Sequence, residues 1–159
     1  MSKRLFVVVI FVVLLVFAFS TQTAPVSVAL SRLVSKELVA LGLDFHVVKD
    51  IANPTVTELY QVDSIVRNYA HVVLYGFVAL AIVTTLYLKR IKIYWAVTCT
   101  LLFVGVLAAV DENVQGFIPG RGSELRDWLS DMLGATIAIV VFMVIIGLFH
   151  LYQLSRGRN

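Results

Sequence analysis

Met132–Leu154 reads MLGATIAIVVFMVIIGLFHLYQL, a run whose only ionisable side chains are His150 and Tyr152. A hydrocarbon core about 30 Å thick takes roughly 20 mostly apolar residues as a helix, which satisfies every backbone N–H and C=O within the segment. The run therefore reads as a membrane span. Tyr69–Leu88, with no formal charge and one histidine, and Ile93–Val110, with no charge, read the same way. Leu5–Phe19 is fifteen unbroken apolar residues behind Lys3 and Arg4, and Ser20–Ala24 extends it to spanning length. That start also fits a signal peptide, since Ala18-Phe19-Ser20 is a small-residue cleavage pattern. Retained or cut, it leaves the other three spans in the same orientation. The expectation is an all-α polytopic membrane helix bundle of about four transmembrane helices. It forms one membrane domain over residues 1–159, with spans near 5–24, 69–88, 93–111 and 131–153.

Composition agrees. The chain is 60% hydrophobic and 14% charged, against about 45–50% and 25% in soluble domains. Its formal charge of +3 hides a partition. Lys3, Arg4, Lys89, Arg90, Lys92, Arg156 and Arg158 fall on the side shared by both termini and the short middle loop, with no acid among them. All ten acidic residues, Glu37 to Asp131, fall on the other side. The basic side is cytoplasmic by the positive-inside rule, which predicts a multi-pass membrane protein with both termini in the cytoplasm. A pI raised this way does not indicate nucleic-acid binding. The lone Cys99 excludes an intrachain disulfide and is expected to pack as a small buried apolar group.

The segment after the first span is too apolar for a solvated loop. Val26, Leu30, Leu33, Val34, Leu38 and Leu41 recur at helical spacing opposite Ser27, Ser31, Arg32, Ser35 and Lys36, which predicts an outer amphipathic helix with Pro25 in its first turn. Such a helix lies in the interface or packs on the bundle, and packing is the expectation. Asn53-Pro54 marks a turn, and Thr55 with Glu58 forms a capping box that starts a helix running into the second span. Tyr60, Tyr87, Tyr94, Trp95, Trp128 and Tyr152 suit an interfacial aromatic belt. Gly134 and Ala138, four apart, allow another helix to approach closely.

The polar residues inside this apolar frame carry the chemistry. Asp63, Arg67, His71 and Tyr75 follow at intervals of four on one helical stripe, and Asp63 with Arg67 can form an ion pair. The third span ends in Asp111-Glu112-Asn113-Val114-Gln115, where a continuing helix lets the carboxylates and the amide converge. Pro119-Gly120 then turns the chain and returns Arg121 toward the membrane. Ser123 caps a new helix carrying Asp127 and Asp131 on one face. Glu124 and Arg126 read as wet helix ends. For the deeper groups pairing is expected, because an unpaired charge at the bilayer centre costs about 2.5–3.5 kcal/mol on insertion scales.

These two stretches resemble the VanZ-like family of small bacterial membrane proteins. The resemblance rests on Arg67-x3-His71-x3-Tyr75, and on Asp111-Glu112-x2-Gln115-x-Phe117-x-Pro119-Gly120-Arg121 followed by Ser123 and Asp127. Spacing matches over residues 64–138, with two departures: Asp131 stands where the family pattern has asparagine, and Ala138 stands for its last glycine. The resemblance implies a bacterial plasma (inner) membrane location in the cell envelope and, for some relatives, a contribution to glycopeptide (teicoplanin-type) antibiotic resistance. It implies no reaction.

The leading expectation is a polar outer-leaflet site of Arg67, His71, Tyr75, Asp111, Glu112, Gln115, Arg121 and Asp127 that binds a headgroup or a lipid-linked envelope precursor. In that site Arg121 and Arg67 would serve as forks for an anionic oxygen. An intramembrane hydrolase or transferase is the alternative, with His71 or Glu112 as general base. A structural or regulatory subunit, whose polar cluster only locks the helices, is another. No metal or other cofactor is expected, since helical neighbours alone do not make a ligand set. The expected partners are membrane lipids. Four short spans line a transport pathway only as a homo-oligomer, and no paired broken helices point there.

Overall fold

The computed structural model describes residues 3–21, 26, 29, 33, 34, 56–118 and 125–156, with the backbone alone at 3–6, 19 and 56–63. The described residues are all-helical: α1 Lys3–Ser20, α2 Val56–Leu88, α3 Ile93–Gly116 and α4 Leu125–Arg156. Ser64–Leu88, Ile93–Gly116 and Leu125–Arg156 are each long and apolar enough to cross a membrane, and α1 adds a shorter apolar helix, Val7–Ala18. The helices outrun the apolar runs. α3 continues past Asp111 to Gly116, and α4 is already helical from Leu125, ahead of its apolar run. Apolarity marks only what lipid can surround, whereas the helix goes on wherever its polar side chains find partners on a neighbour.

α2 turns into α3 through a tight helix stop. Arg90 has φ 61°, and the Ile91 N–H donates to the Leu86 carbonyl (3.2 Å) while the Arg90 N–H donates to the Tyr87 carbonyl (2.9 Å). This is the six-to-one and five-to-two pairing of a Schellman motif, a place usually given to glycine. Lys89, Arg90 and Lys92 are exposed there, forming a basic end of the bundle opposite the acidic one.

The register of the bundle comes from α2 against α4. Arg67 meets Asp127, and His71 meets Asp131, so one turn along α2 matches one turn along α4 and the two helices run parallel. Their backbones nearly touch below these pairs. A methyl built on Gly134 would overlap the Val72 carbonyl oxygen, and one on Gly76 would stand 3.3 Å from the Gly134 carbonyl oxygen and 3.7 Å from Ala138 Cβ. The Gly134/Ala138 spacing is thus a helix-packing seam, as expected. Beneath it, Val16 of α1, Tyr75, Val78 and Ala79 of α2, Val104, Leu107 and Ala108 of α3 and Ala135 and Ile139 of α4 form the core. A second cluster of Val83, Ala96 and Phe142 lies nearer the basic end.

Three expectations change. Cys99 is exposed rather than buried, because the inward stripe of α3 runs Ala96, Thr100, Val104, Leu107, Ala108 and Asp111, and position 99 lies off it. Trp128 serves the interior more than the belt: it is partly buried and its indole N–H donates to the Gly105 carbonyl (3.1 Å) across to α3. Most of the outer amphipathic segment lies outside the described residues. Its described positions Val26, Ala29, Leu33 and Val34 are helical and exposed rather than packed.

Candidate functional site

All four helices send polar side chains into the acidic end. On α2, intervals of four place Arg67, His71 and Tyr75 one above another. On α3 the same spacing brings Asp111 and Gln115 together, and on α4 it aligns Asp127 with Asp131. The end of α1 contributes Ser20.

Asp111, fully buried, anchors one side. Its Oδ2 accepts from Ser20 Oγ (2.7 Å) and from Gln115 Nε2 (3.0 Å). Across from it, His71 Nδ1 lies 3.0 Å from Asp131 Oδ1, with His71 5% exposed and Asp131 0%. The Tyr75 ring stacks on the imidazole, centroids 6.0 Å apart. Nearer the rim, Arg67 Nη2 donates to Asp127 Oδ2 at 3.2 Å. Glu112 is buried on the same turn of α3 as Asp111.

The pairing is incomplete. Asp111 Oδ1, Asp131 Oδ2, Gln115 Oε1 and Arg67 Nε are buried without a hydrogen-bond partner. The Tyr75 hydroxyl approaches Asp111 without completing a hydrogen bond. A buried acceptor left without a donor forfeits about 1–3 kcal/mol, and more if it is charged. Three such acceptors in one pocket are what a group that donates hydrogen bonds, or a cation, would satisfy. The charge balance agrees: four buried carboxyls, Asp111, Glu112, Asp127 and Asp131, face one guanidinium and one imidazole among the described residues.

Of the sequence-derived set, the structure brings Arg67, His71, Tyr75, Asp111, Glu112, Gln115 and Asp127 to one place. Arg121 lies outside the described residues, as do Pro119, Gly120 and Ser123. Arg67 pairs with Asp127, a partner not expected from sequence; the Asp63 side chain of the expected Asp63–Arg67 pair lies outside the described residues. The packed α2–α4 pair puts a carboxylate from another helix in reach of the guanidinium. Two participants went unnamed in the expected set, Ser20 and Asp131. The signal for Asp131 was present: Arg67 with His71 and Asp127 with Asp131 share one spacing on two spans of the same direction. Ser20 carried no signal, since a serine at the end of an apolar run is ordinary.

Three helices long and apolar enough to cross a membrane and a shorter apolar one, closed around a buried acidic cluster, mark a small membrane protein with a polar cluster inside its helix bundle. The VanZ/LLP1 family model matches residues 5–147, and the chain belongs to that family. No curated protein and no solved structure matches the chain.

Proposed function

We propose that this protein works in the cell envelope, at the plasma (inner) membrane with both termini cytoplasmic. There it binds the polar head of a lipid or lipid-linked envelope precursor at the outer end of its helices. The observation that carries this reading is the set of buried acceptors without donors, Asp111 Oδ1, Asp131 Oδ2 and Gln115 Oε1. A cluster serving only to lock helices has no use for acceptors that remain unsatisfied in a low-dielectric interior. Because these acceptors lack donors, the head enters through hydroxyl or ammonium groups, which donate. An anionic oxygen stays at the rim, where Arg121 is the sequence-derived donor. Arg67 is a weaker candidate for that oxygen than the sequence indicated, since Asp127 already holds its Nη2. Family membership supports the envelope setting, and a role in teicoplanin-type resistance is proposed on that ground.

The test is mass spectrometry of envelope lipids and precursors incubated with purified wild-type protein, Glu112→Gln and Arg121→Ala, scoring retained and converted species. Retention by wild type that falls with Arg121→Ala is the expected result. Equal recovery from all three proteins would sink the binding site. A host expressing the protein is expected to tolerate more teicoplanin than the same host expressing Glu112→Gln at equal membrane abundance.

A second reading, an intramembrane hydrolase or transferase on the same lipids, draws on one observation. The Asp131 carboxylate at one nitrogen of the buried His71 imidazole fixes the ring's orientation, as a positioned general base requires. Conversion of a lipid by wild type, lost in His71→Gln, would establish it.

A further inference from the structure

We propose that His71, Asp111 and Asp131 form a site for one divalent metal cation of mixed nitrogen and oxygen preference, of the Zn²⁺ or Mn²⁺ kind. The proposal deepens the reading of the cluster as a ligand site, although it requires no lipid. Each of the three residues comes from a different helix and is buried, and each offers one ligand atom, all within 4.8 Å of one another. Tetrahedral ligands about 2.0–2.2 Å from a shared ion stand about 3.3–3.6 Å apart, so the side chains close inward by up to about 1.5 Å on binding.

A second observation points the same way. Gln115 is fully buried, and its Nε2 is tied to Asp111 Oδ2, yet its Oε1 has no donor. Asp111 Oδ1 and Asp131 Oδ2 are in the same condition. A cation held by Asp111 and Asp131 would satisfy their open oxygens together. The surroundings resemble a prepared outer shell: Ser20 Oγ and Gln115 Nε2 fix one oxygen of Asp111 and leave the other for the ion, while Tyr75 stacks on His71. Outer partners of this kind orient ligands and tune affinity.

The donor set selects the metal class. One imidazole with two carboxylates suits Zn²⁺ or Mn²⁺ better than soft Cu(I), which needs sulfur, and the nitrogen disfavours Mg²⁺ and Ca²⁺. Sequence could not assemble the set, because positions 71, 111 and 131 meet only through the packing of α2, α3 and α4.

The experiment uses the full-length protein in detergent without added lipid, stripped with chelator and titrated with Zn²⁺ or Mn²⁺ alone. It is read by calorimetry and by elemental analysis after desalting. One equivalent per chain is expected, with affinity falling at least about tenfold in Asp131→Asn and Asp111→Asn. His150→Ala, which removes an exposed histidine of α4 outside the cluster, is expected to keep the full equivalent. Wild type that retains no cation, or both carboxamide variants binding as wild type does, overturns the proposal. Should the variants not fold, Co²⁺ spectra and X-ray absorption of the loaded wild type decide. One nitrogen with two or more oxygen ligands supports the site, and an all-oxygen shell overturns it. Lipid retention by chelator-stripped protein that binds no metal would remove the cation and keep the headgroup reading; metal binding without lipid retention would do the reverse.

Discussion

His71 and Asp131 set the terms at the residue scale. Both are buried, at 5% and 0% exposure, and each is the other's hydrogen-bond partner. Removing one partner of a buried pair strands the other, so Asp131→Ala is expected to cost about 3–5 kcal/mol. Replacing both by leucine, with no polar group left behind, is expected to recover much of that loss. Unfolding in mixed micelles checks this, and a double variant less stable than Asp131→Ala would show that the pair is not the source. A second prediction concerns Arg90, whose φ of 61° places an arginine where L side chains are disfavoured. Arg90→Gly should raise stability by about 1 kcal/mol, read as a higher unfolding midpoint, and an unchanged midpoint would mean that the turn holds no strain. The legible part of the site was the part set within a helix. Intervals of four put Arg67, His71 and Tyr75 on one stripe and Asp111 beside Gln115, because helical geometry alone decides both. Partner choice across helices was hidden: the sequence offered Arg67 only Asp63, one turn away, and tertiary packing adds Asp127 from α4.

Whether those partners meet depends on how closely α2 and α4 cross, which is a property of the two helices as units. Gly134 lets the α4 backbone sit against the Val72 carbonyl, a little more than one turn beyond Arg67 and next to His71. Gly134→Ala therefore has to push backbone from backbone, a change that overpacking studies place at about 1–3 kcal/mol. It should also separate His71 from Asp131. Gly147→Ala on the same helix provides the contrast, since nothing lies within 4 Å of the added methyl. It is expected to leave stability unchanged or raise it by up to about 1 kcal/mol through helix propensity. Equal losses from the two substitutions would refute the seam. The small-residue spacing Gly134/Ala138 showed in sequence that some helix approaches here. It could not show that α2 is that helix or that Gly76 supplies the facing surface. The extension of α3 and α4 beyond their apolar runs was legible: an apolar run ends at its first charge, but the spacing of Asp111 with Gln115 and of Asp127 with Asp131 is helical, and Asp111 and Asp127 are held there by Gln115, Ser20 and Arg67.

Across the whole molecule, the separation of charge between the ends and the burial of α1 combine into one prediction. The first apolar run fits either a retained helix or a cleaved leader when read as a string. In the folded protein Val16 is 1% exposed within the core and Ser20 is fully buried, with its hydroxyl on Asp111. Cleavage at the Ala18-Phe19-Ser20 pattern would remove Val16 from the core and open the α1 side of the acidic cluster to lipid, where an uncovered carboxylate is costly. The expected outcome is that protein isolated from membranes keeps α1, as read by intact mass and amino-terminal sequencing. Its start should lie on the same side as the Lys89–Lys92 loop and the end of α4. Cysteine labelling from either side of sealed vesicles tests that placement, using single cysteines at Ser2, Arg90 and Ser155 in a Cys99→Ser background. Labelling of all three from the cytoplasmic side, with a position such as Ser123 labelled only from outside, is the expected pattern. A mature chain beginning beyond Ser20 would mean that Asp111 finds another donor, and the four-helix site drawn around it would have to be rebuilt with three.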